Sequence, residues 1–153
     1  MKKQLWHYTA QVRLDEIIKS KELKVSEFER KSGDKHPCVW FSTNPFWDPS
    51  ATKMVGDKLG NVIRLTMPQH LELLGFGRIE VDPSIVVLNW EQYKKISGLK
   101  KSEHRHMEKL ADGDGSNPKH WFASTQNIDS SNWLAVEYFN GKEWVRYLPD
   151  KVD

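Results

Sequence analysis

A chain of 153 residues and 17.9 kDa is the length of one domain, and 1–153 reads as a single unit with enough material for a buried core. Lysine and arginine number 23 against 21 acidic residues, so a formal charge of +2 excludes a global nucleic-acid footprint, though not a local basic patch. No apolar run approaches the ~20 residues of a membrane span, and no apolar stretch follows the N-terminal lysines as in a signal peptide, so no membrane partner is expected.

In chain order, Leu5–Thr9 (Leu-Trp-His-Tyr-Thr) reads as a strand. Its alternation sets Leu5, His7 and Thr9 on one face and Trp6 and Tyr8 on the other. An imidazole and a hydroxyl then stand about 7 Å apart, a spacing suited to a ribose or an amide. From Ala10 to Lys21 the positions of Val12, Leu14, Ile17 and Ile18 predict a helix, with Thr9 available as its cap. Glu22–Val25 reads as a short strand, and the charged segment Ser26–Pro37 as a mobile loop. Val39–Ser42 is a buried-type strand closed by the turn chemistry of Thr43-Asn44-Pro45, and Ser50 or Thr52 can open a short helical turn.

Gly56–Asn61 reads as flexible, Asn61–Met67 as a strand stopped by Pro68, and Leu71–Gly77 as either a short helix or a loop. Strands follow at Arg78–Asp82 and Ile85–Leu88, then helices at Trp90–Ile96 and Ser102–Leu110. After a turn-rich break from Asp112, Phe122-Ala123 forms a short strand and Ile128–Asn132 a loop. Trp133–Phe139 is the last long strand, turned by Asn140-Gly141 into Glu143–Leu148. Strands outnumber helices without alternating with them, which predicts an α+β fold with largely antiparallel sheets. Cys38, the one cysteine, cannot form an internal disulfide and suits a cytoplasmic setting.

Several chemistries are excluded by pattern. His104 and His106 diverge on a helix, and one cysteine cannot supply a structural zinc cluster, so no metal is expected. There is no Gly-x-Ser-x-Gly elbow, no phosphate loop of the Gly-x-x-x-x-Gly-Lys type and no Gly-x-Gly-x-x-Gly turn. Glu137 is the one charge within Trp133–Phe139, and a carboxylate at mid-strand must reach water, a partner or a ligand. Seven tryptophans are mostly packing, but aromatic walls also stack on planar ligands.

Three of these pieces together resemble a known superfamily. His7-Tyr8-Thr9 opening a helix resembles the first-strand signature of ADP-ribosyltransferases of the diphtheria-toxin and poly-ADP-ribose type, a layout shared by NAD-dependent RNA 2′-phosphotransferases. Val39-Trp-Phe-Ser-Thr-Asn resembles the aromatic-Ser-Thr strand of the same group, and Glu137 sits where its glutamate completes the triad. The resemblance implies two small, mostly antiparallel sheets forming a cleft with flanking helices, and NAD as the bound substrate. It implies that Glu137 is catalytic: it would hydrogen-bond the ribose and offset the positive charge that develops when the nicotinamide bond breaks.

By the same resemblance, His7 would bind the adenosine ribose, and the Tyr8 backbone would pair with the nicotinamide amide. Thr9 would assist on the ribose side unless it is spent as a cap, and Ser42, with Thr43 beside it, would support Glu137. Trp47 would stack on nicotinamide, while Trp40 is assigned to the core. Ala135 stands where the arginine-modifying branch carries a second glutamate, which argues against arginine as acceptor. The activity so implied is mono-ADP-ribosyl transfer to an unidentified protein or nucleic-acid acceptor, in the manner of a phage or bacterial effector or toxin. Two alternatives are NAD-dependent RNA 2′-phosphate transfer and a catalytically inactive binding module of the same fold.

Overall fold

The computed structural model describes residues 3–26, 33–56 and 58–148; positions 27–32 of the expected loop Ser26–Pro37, and Asp57 of Gly56–Asn61, lie outside them. The first strand, β1 (Leu5–Thr9), runs into a 3-10 turn at Gln11–Arg13 and then α1 (Leu14–Ser20). Thr9 is therefore not a helix cap. It is buried in β1 opposite Gly77, and the first-turn amides of Gln11 and Val12 donate instead to the carbonyls of Gly75 and Leu74. Lys21 closes α1 in the left-handed region (φ 60). Next come β2 (Glu22–Leu23), β3 (Val39–Ser42), and a ribbon of β4 (Met54–Gly56) with β5 (Val62–Arg64).

The ambiguous stretch before Gly77 is resolved by α2 (Met67–Leu73). A capping box begins it: Thr66 accepts from the Gln69 amide while the Gln69 side chain accepts from the Thr66 amide. Pro68 sits in the first turn, where a missing amide costs nothing, so it starts a helix rather than merely stopping a strand. After β6 (Gly77–Val81) the strand expected at Ile85–Leu88 shrinks to β7 (Leu88–Asn89), because Asp82 takes up the chain in a turn by accepting from the Ser84 amide. Asn89 and Gln92 form a second capping box for α3 (Trp90–Ile96), which is followed by α4 (Lys101–Asp114). The last strands are β8 (Trp121–Ser124), β9 (Ile128–Asp129), β10 (Trp133–Phe139) and β11 (Trp144–Arg146).

The fold is α+β and every strand pair among the described residues is antiparallel. The two separate sheets expected from the sequence are instead one seven-stranded sheet, ordered β11-β10-β6-β1-β3-β8-β7, with small ribbons β2-β9 and β4-β5 beside it. The sheet nevertheless has a weak line. β1 matches β6 over five residue pairs, but it meets β3 through one, Trp6 opposite Ser42. No helix of the described residues is long and apolar enough to cross a membrane.

Directly opposed residues share a face, so Trp6, Tyr8, Arg78 and Glu137 leave one side of the sheet while Leu5, His7, Ile79 and Val136 leave the other. One core cluster joins Leu5, Val39, Phe41, Ile79 and Val81 to Leu14 of α1 and to Leu23 and Ile128 of the β2-β9 ribbon. On the other side Trp6 and Tyr8 pack with Trp47 and Phe76, and Cys38 and Ala123 with Trp90 and Tyr93. Gly77 lets α1 approach, since a Cβ there would stand 3.0 Å from three carbons of the fully buried Leu14. Gly77→Ala is expected to lower stability by about 1–3 kcal/mol through this overpacking. Urea unfolding of the variant measures it, and an unchanged midpoint would show that Leu14 gives way freely.

Candidate ligand-binding site

A cavity of about 490 Å³ lies along the β1/β3 line, within the size range of small-molecule sites. Trp6, His7 and Tyr8 of β1 line it together with Val39–Ser42 of β3. Residues 50–54 and Arg64 close one side, and Trp90, Trp121 and the α4 residues Met107, Ala111 and Asp114 close another.

His7 sits where the β1/β3 ladder gives out. Beyond the single rung at Trp6 the ladder does not continue, and the imidazole reaches across the gap so that Nδ1 lies 2.8 Å from the Trp40 carbonyl. A carbonyl only accepts, so Nδ1 carries the proton. Burial, opposed by that hydrogen bond and assisted by Lys53 and Arg13, pulls the pKa down to about 4, which leaves the ring neutral near pH 7. Nε2 then holds a lone pair and is an acceptor suited to a hydroxyl or an amide N–H, carried by a residue that lines the cavity.

The aromatic wall is built by tryptophans other than the one assigned from sequence. Trp40 is half-buried against Tyr93 (centroids 4.6 Å, edge-on), and Trp121 meets Trp90 edge-on at 5.2 Å. Trp47 is 2 % exposed, stacked on Phe76 at 4.3 Å with its Nε1 donating to Thr52, so it belongs to the core and has no face to offer a ligand. The assignment of Trp47 to the ligand is thus overturned, while Trp40 packs on the Trp90–Tyr93 core cluster as expected and also borders the cavity. The reason is the loop 43–48, which folds back over the Tyr8 side of the sheet: the Tyr8 hydroxyl donates to the Asn44 carbonyl, and Arg78 Nη1 donates to that of Pro45 at 2.7 Å. Burial pushes the Tyr8 phenol up to about 12.

Ser42 lines the cavity, but its hydroxyl goes to Asp48 (2.7 Å) and not to Glu137. Asp48 is 3 % exposed and accepts five hydrogen bonds. Oδ2 takes Ser42 Oγ and Trp121 Nε1, and Oδ1 takes the Ser50 amide, Ser50 Oγ and Ser116 Oγ. One carboxylate therefore ties β3, the 49–51 turn, the end of α4 and β8 around the cavity. The short helical turn at Ser50 was legible, but nothing local showed that Ser116 and Trp121 would converge on Asp48.

Glu137 does not line the cavity. Its Oε1 is 2.8 Å from Arg78 Nε, and it leaves the sheet on the face opposite His7. Arg78 is 8 % exposed, with its guanidinium over the rings of Trp6 (4.9 Å) and Trp144 (4.3 Å), so Glu137 neutralises a buried cation. Thr9 is buried in β1 and Thr43 donates its amide to His120, and neither reaches the cavity. Of the site residues read from the sequence, the structure brings together His7, Tyr8 and Ser42, and leaves out Thr9, Thr43, Trp47 and Glu137. Trp121, Asp48 and Lys53 also stand in the cavity wall and were not singled out from the sequence. Among the described residues, no cluster of His, Cys, Asp or Glu is placed to hold a metal ion.

No family model matches the chain, and no curated protein or solved structure matches it either.

Two outcomes follow from these contacts. Asp48→Asn replaces one accepting oxygen by a donor group opposite five donors, of which the Ser42 and Ser116 hydroxyls are buried, and should cost about 1.5–3 kcal/mol in urea unfolding, loosening the cavity wall at the same time. A midpoint equal to that of the parent would show that the carboxylate is dispensable. The lowered pKa of His7 means that the unfolded chain binds the proton first as pH falls. Its stabilising contribution is complete above about 6.5 and is lost on descent to about 4. Melting temperatures taken across that range should fall for the parent, and less steeply for His7→Asn; parallel slopes would remove His7 from the account.

Proposed function

We propose that the cavity binds a nucleotide of the NAD type and that the protein is an ADP-ribosyltransferase-like enzyme transferring ADP-ribose to a macromolecular acceptor. The observation that carries the reading is the His7 imidazole, held neutral with Nε2 as an acceptor beside a tryptophan-lined space. A ribose hydroxyl donates to such a nitrogen, and a planar base finds apolar and aromatic surface alongside it. Tyr8 lines the same space, and pairing of its backbone with a carboxamide is part of this reading.

Transfer asks for a carboxylate near the ribose whose bond to nicotinamide breaks. Glu137 meets that demand only if its pair with Arg78 opens and the loop 43–48 moves. Its present position favours a second reading, a nucleotide-binding module without transfer. The RNA 2′-phosphotransferase alternative has no contact of its own in its favour.

Titration with NAD, followed by tryptophan fluorescence and thermal shift, tests the binding step. A flat response in both would refute it. Incubation with labelled NAD and lysate separates the two readings, since label enters protein or nucleic acid only if transfer occurs. Glu137→Gln should cost about 1.5–3 kcal/mol, because it withdraws the charge from Arg78. Assayed well below its own melting temperature, it should lose 10²–10³-fold in turnover if Glu137 faces the ribose during reaction. Full turnover with reduced stability would assign Glu137 to Arg78 alone.

A further inference from the structure

The cavity wall also carries a cation that has no counter-ion among the described residues. Lys53 lines the cavity and is half-buried, and its backbone is fixed where the β4-β5 ribbon begins, its carbonyl accepting from the Leu65 amide at 3.2 Å. Among the described residues its ammonium makes no hydrogen bond and no ion pair, unlike Arg64, which holds Asp114 at 2.6 Å, or Arg78, which holds Glu137. The two carboxylates in the wall are engaged elsewhere: Asp114 faces Arg64, and the oxygens of Asp48 are taken by five donors. Lys24 adds a further positive charge to the same lining. A partly desolvated ammonium with no internal anion is costly to keep unless something from outside neutralises it.

We propose that Lys53 is the anion anchor of the cavity and binds the pyrophosphate of a nucleoside diphosphate ligand beside the His7 imidazole. The assignment deepens the nucleotide reading and rests on it for the nucleoside part, but the anchor itself is a matter of charge and can be tested with a bare anion. Burial first, and the nearby Arg13 second, hold the ammonium pKa below its usual value, so an anion arriving in the cavity would relieve the cost of keeping the charge there. The residues lining the cavity thus include an imidazole for a hydroxyl, indole rings for a base and an ammonium for phosphate. A neutral nucleoside would leave the ammonium unpaired, so the structure favours the phosphorylated form.

The test is calorimetric titration of the parent, Lys53→Met and Lys53→Arg with inorganic pyrophosphate, ADP-ribose, NAD and adenosine. Lys53→Met keeps the length of the side chain and removes an unpaired charge, so its melting temperature should be no lower than the parent's. The anchor predicts at least tenfold weaker binding of pyrophosphate, ADP-ribose and NAD to Lys53→Met, partial recovery in Lys53→Arg, and a shallower salt dependence. Equal affinity of the parent and Lys53→Met for these ligands, or absence of pyrophosphate and ADP-ribose binding to the parent, overturns the anchor. If pyrophosphate binds and requires Lys53 while NAD does not bind, the anchor stands and the NAD reading falls. If NAD binds equally to the parent and Lys53→Met, the NAD reading stands and the anchor falls.

Discussion

The incomplete pairing of β1 with β3 is the constraint on which the rest of the structure depends. Two strands that share a single rung cannot seal the sheet between them, and the unpaired stretch must be satisfied by something other than a ladder. The His7 side chain supplies part of that satisfaction by bonding the Trp40 carbonyl, which is why a titratable ring sits neutral in the middle of a sheet. The space left beside it is the cavity. A fully laddered β1/β3 pair would have had no room for one.

Buried charge is arranged around this gap in two different ways. Asp48 is compensated by hydrogen bonds alone, gathered from four separate parts of the chain, and it fixes the wall opposite β1. Arg78 is compensated by a carboxylate, a carbonyl and two indole faces, and it fixes the loop 43–48 over the Tyr8 side of the sheet. Both make the site rigid, and neither leaves its charge free for a ligand. Lys53 differs from them because, among the described residues, its ammonium has no counter-ion. That contrast assigns Asp48 and Arg78 to positioning and Lys53 to recognition.

His70 stands outside this scheme. It is fully buried between Trp47 and Phe76, its ring nitrogens make no hydrogen bond of good geometry among the described residues, and burial lowers its pKa. It acts there as a flat aromatic filler, and it adds to the loss of stability in acid that His7 initiates. The contact with Trp47 also helps to explain why that indole is withdrawn from the ligand side.

The local pattern of the chain determined the α+β class, the Leu5–Thr9 and Trp133–Phe139 strands and the helix at Trp90–Ile96, because alternation and helical spacing are properties of neighbouring residues. It also singled out His7 and Glu137, since a polar group within an apolar strand stands out wherever that strand is placed, while Tyr8 and Ser42 entered only through the family resemblance. Only the tertiary structure decided what those groups face. Register placed Glu137 across from Arg78 and away from His7, and the fold-back of the loop 43–48 buried Trp47 and left Trp40 on the cavity. Convergence of Ser42, Ser50, Ser116 and Trp121 made Asp48 a hub. These are long-range pairings, set by how distant segments compete for the same partners, and no spacing along a single strand or helix encodes that competition.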